Sequence, residues 1–223
     1  MMDYLDKMTD AEYKIILVGD STVGKTSLFK KITSGIFMEK NVLTVGRDRK
    51  SFDVEITVEE EGKEVKKRIN IFLEDTAGQE RYRAITKTYF KGSSGVLLLY
   101  SICDKRSFIN VKAWLDMAKE NIGTYEDNKY LVFLMGTKVD IVENDENKRE
   151  VTYDEALDFC DKNGVIFKGE CSSKNFTDEN FKQIFVECAK ELYVNVGYNK
   201  IERETISTLQ KKKTKKEKKH FHC

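Results

Sequence analysis

An α/β fold, with a mainly parallel sheet covered by helices on both faces, is predicted by three observations. Strand-like and helix-like segments alternate along the 223 residues. Two strand-like runs, 95–102 and 130–135, are continuously apolar, as in strands buried on both faces. A single pair of alternating runs, 51–58 and 65–73, sits either side of Glu61-Gly62, which reads as a hairpin and supplies one antiparallel pairing. Sheets of this class take ligands at the carboxyl ends of their strands.

In chain order, 13–18 is a short apolar strand ending at Gly19, and 25–33 follows with helical character. After the hairpin and the strand 95–102, residues 105–122 read as one helix carrying Phe108, Val111, Leu115 and Ala118. Trp114, the only tryptophan, falls on that helix and reads as face packing. Residues 130–135 form a strand, 154–162 a helix and 165–168 a strand. Phe181, Ile184, Phe185, Cys188 and Leu192 are spaced for one face of a final helix.

Composition narrows the function classes. Charged residues make up 35% of the chain, yet the net charge is only +1. Nine Lys/Arg against three Glu in 199–223 gives that segment +6, so residues 1–198 carry −5. A basic tail on an acidic body points the tail at an anionic surface, such as a membrane. The body offers no basic patch or aromatic platform for nucleic acid, and no nucleic-acid partner is expected. The five cysteines are odd in number and form no Cys-x-x-Cys pair, which reads as a reduced, cytoplasmic protein. No apolar run reaches 18 residues, and the acidic N-terminus does not read as a signal peptide. Residues 1–11 are expected to be an extension, 12–198 the folded domain, and 199–223 a flexible polybasic tail ending in Cys223.

Four motifs carry chemistry, each where a strand is expected to end. Gly19-Asp20-Ser21-Thr22-Val23-Gly24-Lys25-Thr26, followed by Ser27, fits the phosphate-binding pattern G-x-x-x-x-G-K-[ST]. Glycines let the backbone curl so that successive N–H groups face an anion, and the next helix adds its positive dipole end. Lys25 is expected on the β- and γ-phosphates and the Thr26 hydroxyl on Mg²⁺. In Asp75-Thr76-Ala77-Gly78-Gln79-Glu80, the acid can hold Mg²⁺ through water, the Gly78 N–H can turn toward a γ-phosphate and the Gln79 amide is able to orient an attacking water. Thr137-Lys138-Val139-Asp140 places a carboxylate where guanine offers two N–H donors and adenine offers neither. A loop at Cys171-Ser172-Ser173-Lys174 can offer a backbone N–H to the guanine carbonyl.

Together these residues resemble the Ras superfamily of small GTPases, and in detail its Rab branch, over roughly residues 13–196. Thr44 stands eighteen residues after Thr26, as the family's switch threonine does, and Phe37 stands eleven after it, as the aromatic over guanine does. The stretches 80–85 and 89–92 resemble the second switch of Rabs and the helix that follows. The resemblance implies a P-loop small GTPase fold with a six-stranded, mostly parallel sheet and five helices. It implies a GTP/GDP cycle with Mg²⁺ held by Thr26, Thr44 and Asp75, and hydrolysis carried by Gln79, Lys25 and Thr44. Phe37, Thr137, Lys138, Asp140, Ser172, Ser173 and Lys174 would hold guanosine. Exchange factors, GTPase activators, a GDP dissociation inhibitor or escort protein, and GTP-state effectors are the implied partners of a monomer that regulates vesicle traffic. The alternatives are a GTP-dependent recruiter with negligible hydrolysis, or another branch of the superfamily.

The chain departs from the pattern at several points. Thr137 replaces the usual Asn, which predicts fewer hydrogen bonds to the base and to the phosphate loop. Val45-Gly46-Arg47-Asp48-Arg49 and Glu74 replace Ile-Gly-Val-Asp-Phe and a tryptophan, on surfaces expected to face partners. Cys223, at the last position, is not a C-a-a-X box. It resembles the geranylgeranylated ends of Rabs, with the 211–219 lysine run as the second signal that stable anchoring requires.

Overall fold

The computed structural model describes residues 9–34, 47–76, 89–122 and 129–197. Six strands form one sheet in the order β2-β3-β1-β4-β5-β6. They are β1 (Ala11–Val18), β2 (Arg47–Glu60), β3 (Lys63–Thr76), β4 (Gly95–Ser101), β5 (Leu131–Thr137) and β6 (Ile166–Cys171). Only β2 and β3 run antiparallel; all other neighbours are parallel. The helices are α1 (Lys25–Ser34), α2 (Lys105–Ile109), α3 (Val111–Ile122), α4 (Val139–Asn144), α5 (Tyr153–Asn163) and α6 (Asp178–Asn195). With α2 and α3 counted as one helix broken at Asn110, five helices flank the sheet among the described residues.

Alternation along the strands sorts the two cores. Ile15 and Leu17 of β1 join Ile71 and Leu73 of β3, Phe29 of α1, and Phe181 and Phe185 of α6 on one face. Ile16 and Val18 join Leu98 and Tyr100 of β4, Trp114 and Leu115 of α3, and Ala156 and Cys160 of α5 on the other. Side chains alternate with period two along a strand, so consecutive apolar residues feed both layers. The hairpin turns on Glu61 (φ 52°) and Gly62 (φ 76°), with Glu60 opposite Lys63. This two-residue turn matches the twist of the flanking strands. Thr152 and Thr177 close capping boxes at the starts of α5 and α6.

Several elements differ from the sequence expectation at their ends. β3 continues through Asp75 to Thr76, since Arg47 to Lys50 of β2 pair with it on one side and Leu17 pairs with Asp75 on the other. Asp75 is therefore held within the sheet rather than after it. β6 starts at Ile166 and ends at Cys171, three residues beyond the expected end. The helix expected over 105–122 is interrupted at Asn110, although hydrogen bonds from Asn110 N–H to Arg106 O (3.0 Å) and from Trp114 N–H to Asn110 O (3.2 Å) carry it across. β1 begins at Ala11, inside the expected extension, and pairs there with Ile69. At the other end the Tyr13 hydroxyl donates to Gly197 O at 3.0 Å, fastening the end of α6 to β1. No helix among the described residues is long and apolar enough to cross a membrane.

Candidate functional site

The loop between β1 and α1 lies at the carboxyl edge of the sheet. Gly19 (φ 147°) is required by its neighbour: a Cβ there would lie 2.2 Å from Leu99 O. Thr22 (φ 67°) and Gly24 (φ 103°) also take positive φ, so the backbone curls as an anion-binding nest does, and α1 begins at Lys25 with no acid in its first turn. Lys25 is buried and spans the curl, its Nζ donating to Gly19 O (2.8 Å) and Asp20 O (2.6 Å). Burial pushes its amine down to about 8, against the attraction of Asp75 and Asp20.

The Thr26 hydroxyl donates to Asp75 Oδ2 at 2.6 Å. Asp75 is 1% exposed, and its Oδ1 has no hydrogen-bond partner among the described residues. Burial raises its pKa, opposed by the Thr26 hydrogen bond and by Lys25. A buried carboxylate oxygen left without a donor is costly. It suits the oxygen shell of a hard cation, so Thr26 and Asp75 fit Mg²⁺.

The two segments expected to face guanine meet at the ends of β5 and β6. Lys138 takes a left-handed conformation (φ 70°) and launches α4, which carries Asp140. Asp140 Oδ1 accepts from the Ser172 hydroxyl at 2.6 Å, and Ser172 Oγ accepts from the Lys174 and Asn175 N–H groups at 3.1 Å each. Ser173 is half-buried beside it and Lys174 exposed. Thr137 carries a single hydroxyl where the family pattern has an amide. Its hydroxyl is buried 2.6 Å from Val23 O and 2.8 Å from Tyr100 O, so a side-chain link from this position to the phosphate loop is present. The Thr76 hydroxyl likewise donates to Leu17 O at 2.6 Å.

Ser21, half-buried, and Thr22, exposed, sit at the crest of the loop, with Val23 buried beneath and Ser27 in the first turn of α1. Phe37, Thr44, Gly78, Gln79 and Cys223 lie outside the described residues. Glu74 corrects the expectation made for it. It is 1% exposed rather than on a surface, because Lys14 Nζ (3.3 Å) and Arg49 Nε (3.6 Å) close over its carboxylate, and Arg49 lies 4.2 Å above the Phe72 ring.

Two residues of the site were not anticipated. Asn110 Nδ2 donates to Asp20 Oδ2 at 2.6 Å, and Trp114 Nε1 donates to Asp20 Oδ1 at 2.8 Å. Trp114 thus does more than pack. A buried indole N–H needs an acceptor, which was the available signal.

The comparisons agree with this geometry. The Ras family model matches residues 14–194. The Ras-related protein Rab-19 of Xenopus laevis is 37% identical over 187 residues, 84% of this chain and 79% of that protein. Ras-related protein RABD2a of Arabidopsis thaliana is 37% identical over 79% of this chain and 78% of its own length, and RABE1e of the same plant is 36% identical over 82% and 77%. With the phosphate loop, the Thr26–Asp75 pair and the two segments expected to face guanine gathered on one sheet edge, the chain belongs to the Ras family, as a divergent Rab-like small GTPase.

Proposed function

We infer that this protein cycles between GTP and GDP, hydrolyses GTP to GDP and phosphate, and regulates vesicle traffic from a membrane surface. The observation that carries the chemistry is Asp75, whose one carboxylate oxygen is held by Thr26 and whose other is buried without a donor among the described residues. Mg²⁺ bound there would offset charge on the β- and γ-phosphates. Thr44 would complete the metal's protein ligands. Lys25, drawn across the loop by two carbonyls, would turn to the phosphates and keep its proton beside them. Gln79 would orient the attacking water. Asp140, oriented by Ser172, would accept the two guanine N–H donors, with Phe37 against the base and Ser173 supplying a backbone N–H.

Unassisted hydrolysis would be slow, and an activator supplying positive charge to the transition state would accelerate it. Cys223, geranylgeranylated, and the 211–219 lysines would hold the protein at a cytosolic membrane face, where effectors, exchange factors and an escort protein meet it.

The test is phosphate release from GTP by the purified chain, with GTP and ATP in competition. Slow Mg²⁺-dependent release that Gln79→Leu abolishes, and that excess ATP leaves intact, is expected. Release equal in the wild type and Gln79→Leu would refute the hydrolytic assignment and favour a recruiter. Imaging tagged protein beside Cys223→Ser tests the anchor, which fails if both reach the same membranes.

A further inference from the structure

Asp20 stands in the phosphate loop with its main chain and its side chain engaged in opposite directions. Its carbonyl, with that of Gly19, receives the Lys25 ammonium at 2.6 and 2.8 Å. Its carboxylate receives one donor on each oxygen, Asn110 Nδ2 at 2.6 Å and Trp114 Nε1 at 2.8 Å. Both donors come from the break between α2 and α3 and the first turn of α3, one turn apart, so they face the same side. The indole ring is itself fixed: Trp114 is 4% exposed in the core beneath the sheet, with Leu115 and Ala118 beside it. Hydrogen bonds to an ionised acceptor are stronger than neutral ones. The segment they hold needs holding, since Gly19 and Thr22 either side of it adopt positive φ.

We propose that Asn110 and Trp114 are positioning residues for the phosphate loop: through the Asp20 carboxylate they fix the stretch whose carbonyls seat Lys25, and so slow release of the bound nucleotide. This rests on the nucleotide reading above. It makes α3 a lever on the site, because its outer face, with Lys112, Lys119 and Glu120 exposed, is open while its inner face holds the loop.

The experiment uses the full-length chain loaded with a fluorescent GDP analogue in Mg²⁺. Release is followed after adding excess unlabelled GDP, for the wild type, Asp20→Ala, Asn110→Ala, Trp114→Phe and the double variant Asp20→Ala/Trp114→Phe. Each donor variant should release about fivefold faster and Asp20→Ala about tenfold or more. The double variant should release no faster than Asp20→Ala alone, since both changes remove the same bond. A structural role alone would not produce the second readout. The single indole N–H resonance of ¹⁵N-labelled protein should be shifted downfield and slow to exchange in the wild type, and should move upfield in Asp20→Ala. Wild-type release rates in both donor variants, singles that multiply in the double, or an unmoved indole resonance would each overturn the proposal. If Trp114→Phe does not fold, the same cycle is read from Asn110→Ala with Asp20→Ala. Failure of the wild type to bind the analogue overturns the nucleotide reading and this inference with it, whereas binding with unchanged release overturns this inference alone.

Discussion

Thr137 has one proton and two carbonyls within reach, Val23 O and Tyr100 O, so its hydroxyl is shared between the phosphate loop and β4. Thr137→Val keeps the shape and deletes the hydroxyl, removing the one donor that the two buried carbonyls share. A loss of about 1–2 kcal/mol in urea unfolding is expected, together with faster GDP release. Unchanged release would mean that the loop is held without it. Gly19 admits no side chain at all. Gly19→Ala places a methyl on Leu99 O and adds a positive-φ penalty, so the loop cannot seat where it does. Loss of measurable guanine-nucleotide binding by calorimetry is expected, and retention of wild-type affinity would refute the argument.

At the level of elements, β2 and β3 show what pattern can and cannot reveal. Their central halves alternate apolar and polar residues and were legible as strands. Their ends near the site were not, because Arg47-Asp48-Arg49-Lys50 pairs through its backbone whatever its side chains are. The phosphate loop and the Asp75 motif were legible for the converse reason: each is contiguous, and its chemistry needs those residue types at that spacing. The clamp on Asp20 was not, since Asn110 lies 90 residues away and nothing local to either residue announces the other. Glu74 reads as a surface change only while Lys14 and Arg49 are unplaced. With them placed, it is the anion between two cations, and Glu74→Ala removes the charge that both face. The fully buried case costs several kcal/mol; with the Arg49 side chain 46% exposed, about 2 kcal/mol is expected in urea unfolding, and a change below 0.5 kcal/mol would count against the pairing.

The whole molecule contributes a dependence on alkaline pH that no single element shows. Burial pushes the thiols of Cys160, Cys171 and Cys188 up from an ordinary 9.0 to about 12 each. Between those values the unfolded chain loses three protons that the native protein keeps, so stability falls as pH rises through this window; below pH 9 these groups contribute no slope. Lys25 acts with the opposite sign. Its native amine sits near 8 against an ordinary 10.5, so between those values the native protein is the one that has lost a proton, and stability rises. From pH 9 to 10.5 both operate. Each fully titrating group is worth about 1.4 kcal/mol per pH unit, so the raised thiols, with Cys103 raised in the same direction, outweigh the one lysine and stability falls on balance; above pH 10 the buried Tyr13 and Tyr100 hydroxyls, also raised, add to the fall. Urea unfolding under reducing conditions, without nucleotide, should therefore show a midpoint that rises gently from pH 8 to 9 and then drops. Replacing one thiol in Cys188→Ala should reduce the fall by about 1.4 kcal/mol per unit, and an unchanged slope in that variant would show that this cysteine does not contribute to it.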